Sequence, residues 1–242
     1  LPGGPGKERP EVLLGLRRLT PVPAPVTGVV LAAGAGTRLG RGPKALLPFH
    51  GRPLIEHILA QLHDGGCRTA AVVLGADAER VRRSAALGDA VVVVNPDWET
   101  GMASSFRAGV EAAAAAAPDA GYLLVALGDQ PGISAAVVAR LLEARTPGRI
   151  TAAGYRNADD ENPGDGDPDA PDAGPGPLRR GHPMLFDLEL ARQAAAAARG
   201  DQGARSFLAA NGRLVDVVDC TGVGDGLDVD TPADLPLLQR PS

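Results

Sequence analysis

Aromatic side chains and long apolar runs are scarce in this sequence. Only 3% of its 242 residues are aromatic, whereas 44% are hydrophobic. Val, Leu, Ile and Ala must therefore fill the core, as they do in strands covered by helices on both faces. No apolar run of about 18 residues or more and no charged-then-apolar leader is present, which argues against a membrane span and a signal peptide. We expect a cytoplasmic protein that contacts no membrane.

Cysteine and histidine are also few. Cys67 and Cys220 stand alone without CxxC spacing, and the four histidines lack metal-ligand spacing. We interpret both cysteines as ordinary reduced thiols. No Ser-His-Asp or Cys-His arrangement is recognisable either. Attack by an ionised phosphate would need neither arrangement, because it depends on positioning and charge neutralisation more than on an acid or base.

Negative charge is concentrated in one segment. The net charge is −5, and residues 157–178 contain seven acidic residues, five prolines and four glycines but no Lys or Arg. Without those seven charges the rest of the chain carries +2, so it does not repel phosphates. We predict that this acidic segment and the Pro- and Gly-rich residues 1–25 are disordered. A single domain over residues 26–240 remains.

Apolar runs of strand length alternate with amphipathic or Ala-rich stretches after residue 26. The predicted strands are residues 28–32, 69–74, 90–94, 122–127, 150–153, 181–186 and 214–218. The predicted helices are residues 53–63, 77–86, 102–117, 134–144, 188–199 and 204–209. This pattern indicates an α/β fold, a Rossmann-like three-layer sandwich with a mostly parallel sheet and helices on both faces. Ligands bind such sheets at the carboxyl ends of the strands.

A glycine-rich turn with two basic residues follows the first predicted strand. Gly34, Gly36 and Gly40 let backbone N–H groups approach an anion closely, and Arg38 and Lys44 add positive charge. A helix expected after the turn would direct its positive end to the same place. The turn therefore predicts a site for the phosphates of a nucleoside triphosphate.

Two common nucleotide-binding fingerprints do not fit this turn. A dinucleotide loop would need glycine where Leu39 stands, and a Walker loop would need a hydroxyl residue where Ala45 stands, after Lys44. The ligands of a magnesium ion must consequently lie elsewhere in the chain.

Carboxylates at two distant places are candidates for that metal site. Asp129 follows the predicted strand at residues 122–127. Asp228 and Asp230 lie in an extended segment, where we expect them on alternating faces, so that one of them points inward. We favour Asp230 as that residue. Mg²⁺ prefers oxygen ligands, commonly one or two carboxylates completed by phosphate and water. Mn²⁺ is the alternative ion. In the competing interpretation, Asp129 starts a turn and Asp230 caps a helix.

Several motifs occur in a fixed order along the chain. They are residues 31–34 (LAAG) with Arg38 and Lys44, 44–49 (KALLPF), 51–54 (GRPL), 95–105 (NPDWETGMASS), 128–131 (GDQP), 181–183 (GHP), 200–205 (GDQGAR) and 228–232 (DVDTP). With these motifs the chain resembles the nucleotidyltransferases of the molybdenum cofactor group, which comprises cytidylyltransferases and molybdopterin-guanine-dinucleotide synthases. The resemblance spans about residues 27–238.

The resemblance implies a fold of the nucleotide-diphospho-sugar transferase type and a reaction. The reaction is transfer of CMP from CTP to the terminal phosphate of molybdopterin, with release of pyrophosphate. Ala33 favours CTP in this comparison, because the guanylyl enzymes of the group have glycine there.

The resemblance also implies roles for individual residues. Arg38, Lys44 and Asp129 would be catalytic: the loop and Arg38 hold the β- and γ-phosphates, and Lys44 offsets charge near the α-phosphate. Asp129 and Asp230 would bind Mg²⁺. The nucleotide-binding residues would be Leu31, Ala32, Ala33, Gly34, Gly36, Arg38, Lys44, Gly75 and Asp129, with Gly75 near the base.

The acceptor side of the site is implied less directly. Ser104, Ser105, His182, Asp201 and Arg205 are the candidate acceptor-binding residues. The competing interpretation makes the two serines helix caps and His182 structural. The acidic segment departs from the family pattern and could overhang the acceptor pocket. We expect CTP and molybdopterin as small-molecule partners, transient contact with a molybdoenzyme or its chaperone, and no nucleic acid.

Three alternative functions stay open at this point. One is a related transferase that uses GTP or another phosphorylated acceptor. A second is an NADPH-dependent oxidoreductase of the nicotine-blue type, against which the absence of a dinucleotide loop counts. The third is a non-catalytic module that binds nucleotide and hands a cofactor to a partner enzyme.

Overall fold

The computed structural model describes residues 24–156 and 176–239 of the chain. Its strands are β1 Val26–Ala32, β2 Pro48–Phe49, β3 Arg52–Pro53, β4 Thr69–Leu74, β5 Val91–Val94, β6 Tyr122–Leu127, β7 Ile150–Tyr155, β8 Arg179–Asp187 and β9 Val215–Asp219. Its α-helices are α1 Leu54–Asp64, α2 Ala78–Ser84, α3 Met102–Ala116, α4 Ala135–Ala144, α5 Leu188–Ala197 and α6 Arg205–Ala210. Short 3₁₀ helices lie at Lys44–Leu46, Trp98–Thr100, Gly200–Gln202, Gly212–Leu214 and Pro232–Gln239.

One sheet of seven strands organises the chain, in the order β5-β4-β1-β6-β8-β7-β9. Strands β5, β4, β1 and β6 are parallel neighbours, and β9 is parallel to β7. The predicted mostly parallel sheet is therefore confirmed. Strands β2 and β3 form a separate antiparallel pair, which the apolar pattern did not predict because each strand has only two residues.

Strand β8 is the exception to the parallel arrangement. It pairs antiparallel with both β6 and β7. A parallel return from β7 would need a crossover segment, commonly a helix, on one face of the sheet. Residues 156–178 carry no helical apolar pattern, so β8 comes back directly beside β7. The strand also exceeds its predicted length at both ends.

Helices cover both faces of the sheet. One core lies between the sheet and helices α1 and α4, and the other lies between the sheet and helices α3 and α5. Val29 and Val30 in β1 are both fully buried but belong to opposite cores, as alternation along a strand requires. Ser134 caps α4 as its sequence position indicated, since its Oγ accepts the N–H of Val137 at 3.2 Å. The expected three layers with an aliphatic interior are thus present.

The site is positioned by the shared end of the central strands. Leu31 in β1 lies beside Leu127 in β6, and the N–H of Gly128 donates to the carbonyl of Leu31 at 2.9 Å. A Cβ atom at Gly128 would lie 2.7 Å from the Cβ of Ala32. The loops that follow β1 and β6 therefore leave the sheet side by side, although about 95 residues separate them in sequence.

Two predictions concern segments that are largely outside the described residues. The predicted disordered leader (1–25) overlaps the described residues only at 24–25, and the predicted acidic loop (157–178) overlaps them only at 176–178. Within the described ranges, no helix has both the length and the apolar character needed to cross a membrane.

Gly109 sets how closely α3 approaches the sheet. A Cβ there would lie 2.6 Å from Val29 Cγ1 and 3.0 Å from Val73 Cγ2. Helix propensity alone predicts almost no change in the free energy of unfolding for Gly109→Val. Overpacking of the core lowers that free energy by about 1–3 kcal/mol. We predict that Gly109→Val lowers the free energy of unfolding in urea by about 2 kcal/mol. Ala115→Val, at an exposed position of the same helix, controls for propensity; an equal effect of both variants would show that this contact is unimportant.

Candidate active site

The loop after β1 lines a cleft with Gly34, Thr37 and Arg38. The N–H groups of residues 34–38 donate to no other described residue. Beyond them the chain closes a turn, because the N–H groups of Leu39 and Gly40 both donate to the Gly36 carbonyl at 3.1 Å. Gly36 has φ +65°, and a Cβ there would lie 2.2 Å from the Gly42 carbonyl oxygen. Glycine is thus required at 36 to shape the turn, and Gly36 itself does not line the cleft.

The helix predicted at residues 53–63 is present as α1, but none of its residues lines the cleft, so its positive end does not serve the loop as expected. A single 3₁₀ turn at Lys44–Leu46 follows the loop, then the β2–β3 hairpin, and α1 begins only at Leu54. Pro43 and Pro48 flank the 3₁₀ turn, and the residue before a proline is disfavoured in helical conformation. An anion at this loop must therefore be held by loop N–H groups and basic side chains rather than by a helix dipole.

Lys44 joins the two carboxylates that the sequence analysis paired. Its Nζ donates to Asp129 Oδ2 at 2.9 Å and to Asp230 Oδ1. Arg38 Nη1 lies 3.7 Å from Asp230 Oδ2. Partial burial alone would lower the pKa of Lys44, but the hydrogen bonds and charges of the two aspartates raise it above its usual value. Lys44 is therefore a permanent cation between two acidic groups.

A backbone hydrogen bond brings these acidic segments together. Val229 is fully buried, and its N–H donates to the carbonyl oxygen of Asp129 at 2.9 Å. Asp228 and Asp230, on either side of it, both line the cleft. The expectation that they lie on alternating faces was wrong, because residues two apart in an extended segment share one face.

The resulting main cleft has a volume of about 680 Å³. Of the residues predicted to bind nucleotide or metal, eight line it: Leu31, Ala32, Ala33, Gly34, Arg38, Lys44, Asp129 and Asp230. Trp98, Ser105, Asp201, Arg205 and Asp228 are among its other lining residues. The structure therefore brings eight of the ten residues predicted to bind nucleotide or metal into one cleft.

The carboxylates suit a divalent cation that also binds phosphate. Asp129 Oδ1 is buried and has no hydrogen-bond partner among the described residues, which is costly for a carboxylate unless a cation or donor arrives. No group of three or more His, Cys, Asp or Glu side chains in the described ranges could hold a metal by itself. Two carboxylates completed by phosphate and water are a normal Mg²⁺ environment.

Gly75 does not line the main cleft, which corrects its expected place beside the base. A Cβ at Gly75 would lie 2.6 Å from Trp98 Cβ and 2.7 Å from the Ala33 carbonyl oxygen. Glycine is needed there because Trp98 packs directly on the end of β4. Trp98 itself lines the cleft, so Gly75 acts on the cleft wall only through the tryptophan.

Ser104 is structural, which corrects its expected contact with an acceptor. It is buried, accepts from Asn95 Nδ2 at 2.8 Å, and lies 2.9 Å from the carbonyl oxygens of Asp97 and Gly101. These bonds fix the start of α3. Ser105 also accepts from Asn95, at 3.1 Å, yet it lines the main cleft and keeps a hydroxyl proton to donate.

A second, inner cavity of about 380 Å³ adjoins the main cleft. Six residues line both spaces: Leu31, Met102, Leu127, Asp201, Arg205 and Asp228. Of the residues predicted to bind the acceptor, His182 lines only the inner cavity, whereas Asp201 and Arg205 line both spaces. Sequence reasoning missed Arg180, Gln130 and Phe186 in this cavity. The alternation of residues 180, 182, 184 and 186 along one strand was the available signal.

Asp228 and Gln130 form a pair in the wall of the inner cavity. Gln130 Nε2 donates to Asp228 Oδ1 at 2.7 Å and to the Gly226 carbonyl oxygen at 3.2 Å. Desolvation in the cleft, and then the charge of Asp129, raise the pKa of Asp228 to about 6. Asp228 is therefore protonated more readily than an aspartate in water.

His182 is neutral at physiological pH. Desolvation, followed by the charges of Arg180 and Arg205, lowers its pKa to about 4. An unfolded histidine titrates near pH 6.5, so between about pH 4 and 6.5 the unfolded chain binds more protons, and stability rises with pH.

We predict that His182→Gln reduces this rise in the free energy of unfolding by about 1–2 kcal/mol between about pH 4 and 7. One pKa unit corresponds to about 1.4 kcal/mol, and residual solvent contact of the side chain weakens the effect. Urea titrations across that range measure it. His63→Gln, whose side chain is 81% exposed, should keep the native slope. Equal slopes for the native protein and His182→Gln would contradict the prediction.

Known proteins are similar to this chain in sequence and in fold. Residues 28–216 match the MobA-like NTP transferase domain. The chain is 48% identical over 206 residues to the nicotine blue oxidoreductase of Paenarthrobacter nicotinovorans, covering 85% of this chain and 92% of that protein.

Two solved mycobacterial structures are also similar. A homologue of Mycobacterium tuberculosis Rv0371c from Mycobacterium sp. strain JC1 is 29% identical with a TM-score of 0.71, covering 88% of this chain and 95% of that one. Rv0371c from Mycobacterium tuberculosis H37Rv in complex with manganese is 29% identical with a TM-score of 0.67, covering 90% and 100%. The family match extends over well more than half of the chain and includes the loop after β1, Lys44 and Asp129. This chain therefore belongs to the MobA-like NTP transferase family and has its Rossmann-like nucleotidyltransferase fold.

Proposed function

We propose that this protein transfers CMP from CTP to the phosphate of molybdopterin and releases pyrophosphate. The observation that carries the proposal is the contact of Lys44 with both Asp129 and Asp230, beside free loop N–H groups. Two carboxylates, an ammonium group and a row of N–H donors in one cleft match the charges of a metal-bound triphosphate. Membership of an NTP transferase family supports the reaction class.

The loop and Arg38 suit the outer phosphates. Gly34, Thr37 and Arg38 line the cleft, and their N–H groups can donate to phosphate oxygens without breaking any bond to another described residue. The Arg38 side chain is 78% exposed and only loosely paired with Asp230 at 3.7 Å, so it can turn to a ligand. Exposed ion pairs of this kind contribute only about 0–1 kcal/mol. Binding of the β- and γ-phosphates therefore displaces little existing structure.

The transfer step needs charge neutralisation rather than a general base. An oxygen of the acceptor phosphate forms a bond to the α-phosphorus, while the bond from that phosphorus to the α–β bridging oxygen breaks and its electrons leave with pyrophosphate. The attacking phosphate is already ionised at neutral pH. Lys44 offsets the charge that develops around the α-phosphate, and its raised pKa keeps it protonated.

Asp129 and Asp230 are the residues that would hold the divalent ion. The unpartnered Asp129 Oδ1 and the adjacent Asp230 carboxylate fit Mg²⁺ or Mn²⁺. When bound, such an ion neutralises phosphate charge and orients donor and acceptor. The manganese complex of Rv0371c, a 29% identical structure, supports a divalent ion in this group of proteins.

The choice of CTP rests on Ala33 and on the resemblance in sequence. Ala33 lines the main cleft directly after β1, where a methyl group limits the room for a larger base. Such steric differences are worth only about 1–3 kcal/mol, so related transferases that use GTP or another phosphorylated acceptor form part of the test. A molybdoenzyme or its chaperone would receive the product through a transient contact.

A second candidate function is reduction of a heterocyclic pigment by NADPH. The observation in its favour is the 48% identity to the protein named nicotine blue oxidoreductase. The loop after β1 lacks the third glycine of a dinucleotide loop, since Leu39 is there and is buried. NADPH oxidation by the purified protein in the presence of a heterocyclic dye would favour this candidate over transfer.

Asp129→Asn separates metal binding from folding. We predict that it lowers pyrophosphate release by at least about a hundredfold and weakens Mn²⁺ binding in calorimetry, because it removes a carboxylate charge without changing side-chain volume. The thermal transition should stay close to that of the native protein. Asp119→Asn, in an exposed ion pair with Arg68, is the matched control. Native Mn²⁺ affinity in Asp129→Asn would refute the metal role.

Lys44→Ala tests the triphosphate interaction. It should raise the KM for CTP and lower kcat together, each by about tenfold or more, because the lost charge acts on both the bound and the transition state. Arg82→Ala, on an exposed turn of α2, should change neither. Unaltered kinetic constants in Lys44→Ala would remove Lys44 from the mechanism.

Product identification tests the proposed function as a whole. Native protein is incubated with molybdopterin, Mg²⁺ and either CTP or GTP, and the products are identified by mass spectrometry. We expect the cytosine dinucleotide of the cofactor together with pyrophosphate. A guanine dinucleotide in preference to it would assign the related transferase, and retained CTP binding without any product would assign the non-catalytic module.

A further inference from the structure

A groove lies at the opposite end of the sheet from the main cleft. It has a volume of about 280 Å³ and lies between α1 and residues 86–90, which lead into β5. Thr69 and Ala70, at the start of β4, also line it. Among the described residues none lines both the groove and the main cleft. An occupant of the groove would therefore leave the cleft open.

The surface of the groove is apolar where it meets the core. Leu62 belongs to the core between the sheet and α1, and Leu59 and Leu87 are partly buried against it. The connection before β5 is held to α1, because the N–H of Ala86 donates to Glu56 Oε1 at 2.8 Å. The groove is thus a preformed apolar surface, and a segment with several apolar side chains would bury it.

The charged groups around this surface favour a basic occupant. Three acidic residues line the groove, namely Glu56, Asp64 and Asp89. Asp89 is exposed and has no ion-pair partner among the described residues. Arg68 also lines the groove, but its charge is offset by Asp119, to which it donates hydrogen bonds of 2.9 and 3.3 Å. The potential at the groove therefore attracts positive charge.

The described part of the chain begins beside this groove. The carbonyl oxygen of Val26, at the start of β1, accepts the N–H of Arg68 at 2.9 Å, and Thr27 is paired with Thr69. Val26 belongs to the same core as α1. Residues 1–23, which lie outside the described ranges, are therefore joined to the fold next to the groove.

The sequence of residues 11–19 (EVLLGLRRL) complements the groove. Four of its apolar residues share one side of a helical repeat, and two arginines lie beside them: Val12, Leu13, Leu16 and Leu19, with Arg17 and Arg18. The apolar side matches the leucines of the groove, and the arginines match its carboxylates.

The link between this stretch and β1 is long enough for such a contact. The five residue steps from 19 to 24 span about 16 Å when extended. Helix α1 has 11 residues, which corresponds to a length of about 16 Å. Residues 11–19 can therefore reach the whole length of the groove from the start of β1.

We propose that residues 11–19 of this chain dock in the groove between α1 and residues 86–90. Their apolar side covers Leu59 and Leu87, and their arginines face Asp64 and Asp89. The disorder predicted for the leader is then limited to the residues on either side of this stretch. The inference is independent of the proposed transfer reaction, since the groove and the main cleft share no described residue.

Hydrogen–deuterium exchange of the full chain, measured by mass spectrometry, tests this docking. We expect the amides of residues 11–19 to exchange at least about tenfold more slowly than those of a free peptide of the same sequence, because docking protects them. Ala60→Lys should remove the protection, since it places a bulky cation at an exposed position of the groove. Lysine is a good helix former, so α1 should keep its native exchange. Leu16→Asp, within the leader itself, should also remove the protection.

Ala115→Lys is the matched control, because it makes the same change at an exposed position of α3, on the other face of the sheet. It should retain the protection. Free-peptide exchange rates in the native protein, native protection in Ala60→Lys or Leu16→Asp, or equal loss in Ala60→Lys and Ala115→Lys would each overturn the inference. Protection that disappears on dilution would assign the groove to the leader of a second copy and would overturn docking within one chain.

Discussion

The ammonium group of Lys44, held between Asp129 and Asp230, is the interaction on which the site depends. Each partner comes from a different part of the chain, and the positive charge of Lys44 offsets the repulsion between the two carboxylates. The backbone bond from Val229 to Asp129 fixes the approach. Under the proposed function, a divalent ion would bind the two carboxylates and phosphate oxygens would take their place as acceptors for Lys44.

The parts of the fold that sequence could predict are those set by local patterns. Aliphatic runs buried on both faces identified the strands, and Ser134 marked the start of α4. The antiparallel pairing of β8 with β6 and β7 is a long-range feature that no local sequence pattern indicates. The hairpin at residues 48–53 was equally invisible, because two-residue strands carry no periodicity.

Candidate site residues could be predicted from sequence where the residue type in its local pattern usually has one functional role. A glycine-rich turn with Arg38 and Lys44, and carboxylates after strand ends, pointed to one cleft. Ser104 and Gly75 were misplaced because their contacts are long-range: Asn95 binds the serine, and Trp98 packs on the glycine. Neither neighbour is implied by the local sequence. Arg180 was missed for the opposite reason, since an exposed arginine is common and gains meaning only from the cavity it lines.

The central claim is that one cation-binding point between Asp129 and Asp230 organises a triphosphate over the loop at residues 34–38. A crystal structure with Mn²⁺ and a non-hydrolysable CTP analogue, phased to show anomalous scattering from manganese, measures this directly. The account predicts a manganese peak within coordination distance of both carboxylates, with Lys44 turned toward phosphate. A manganese peak away from either aspartate, or a triphosphate bound elsewhere on the sheet, would contradict it.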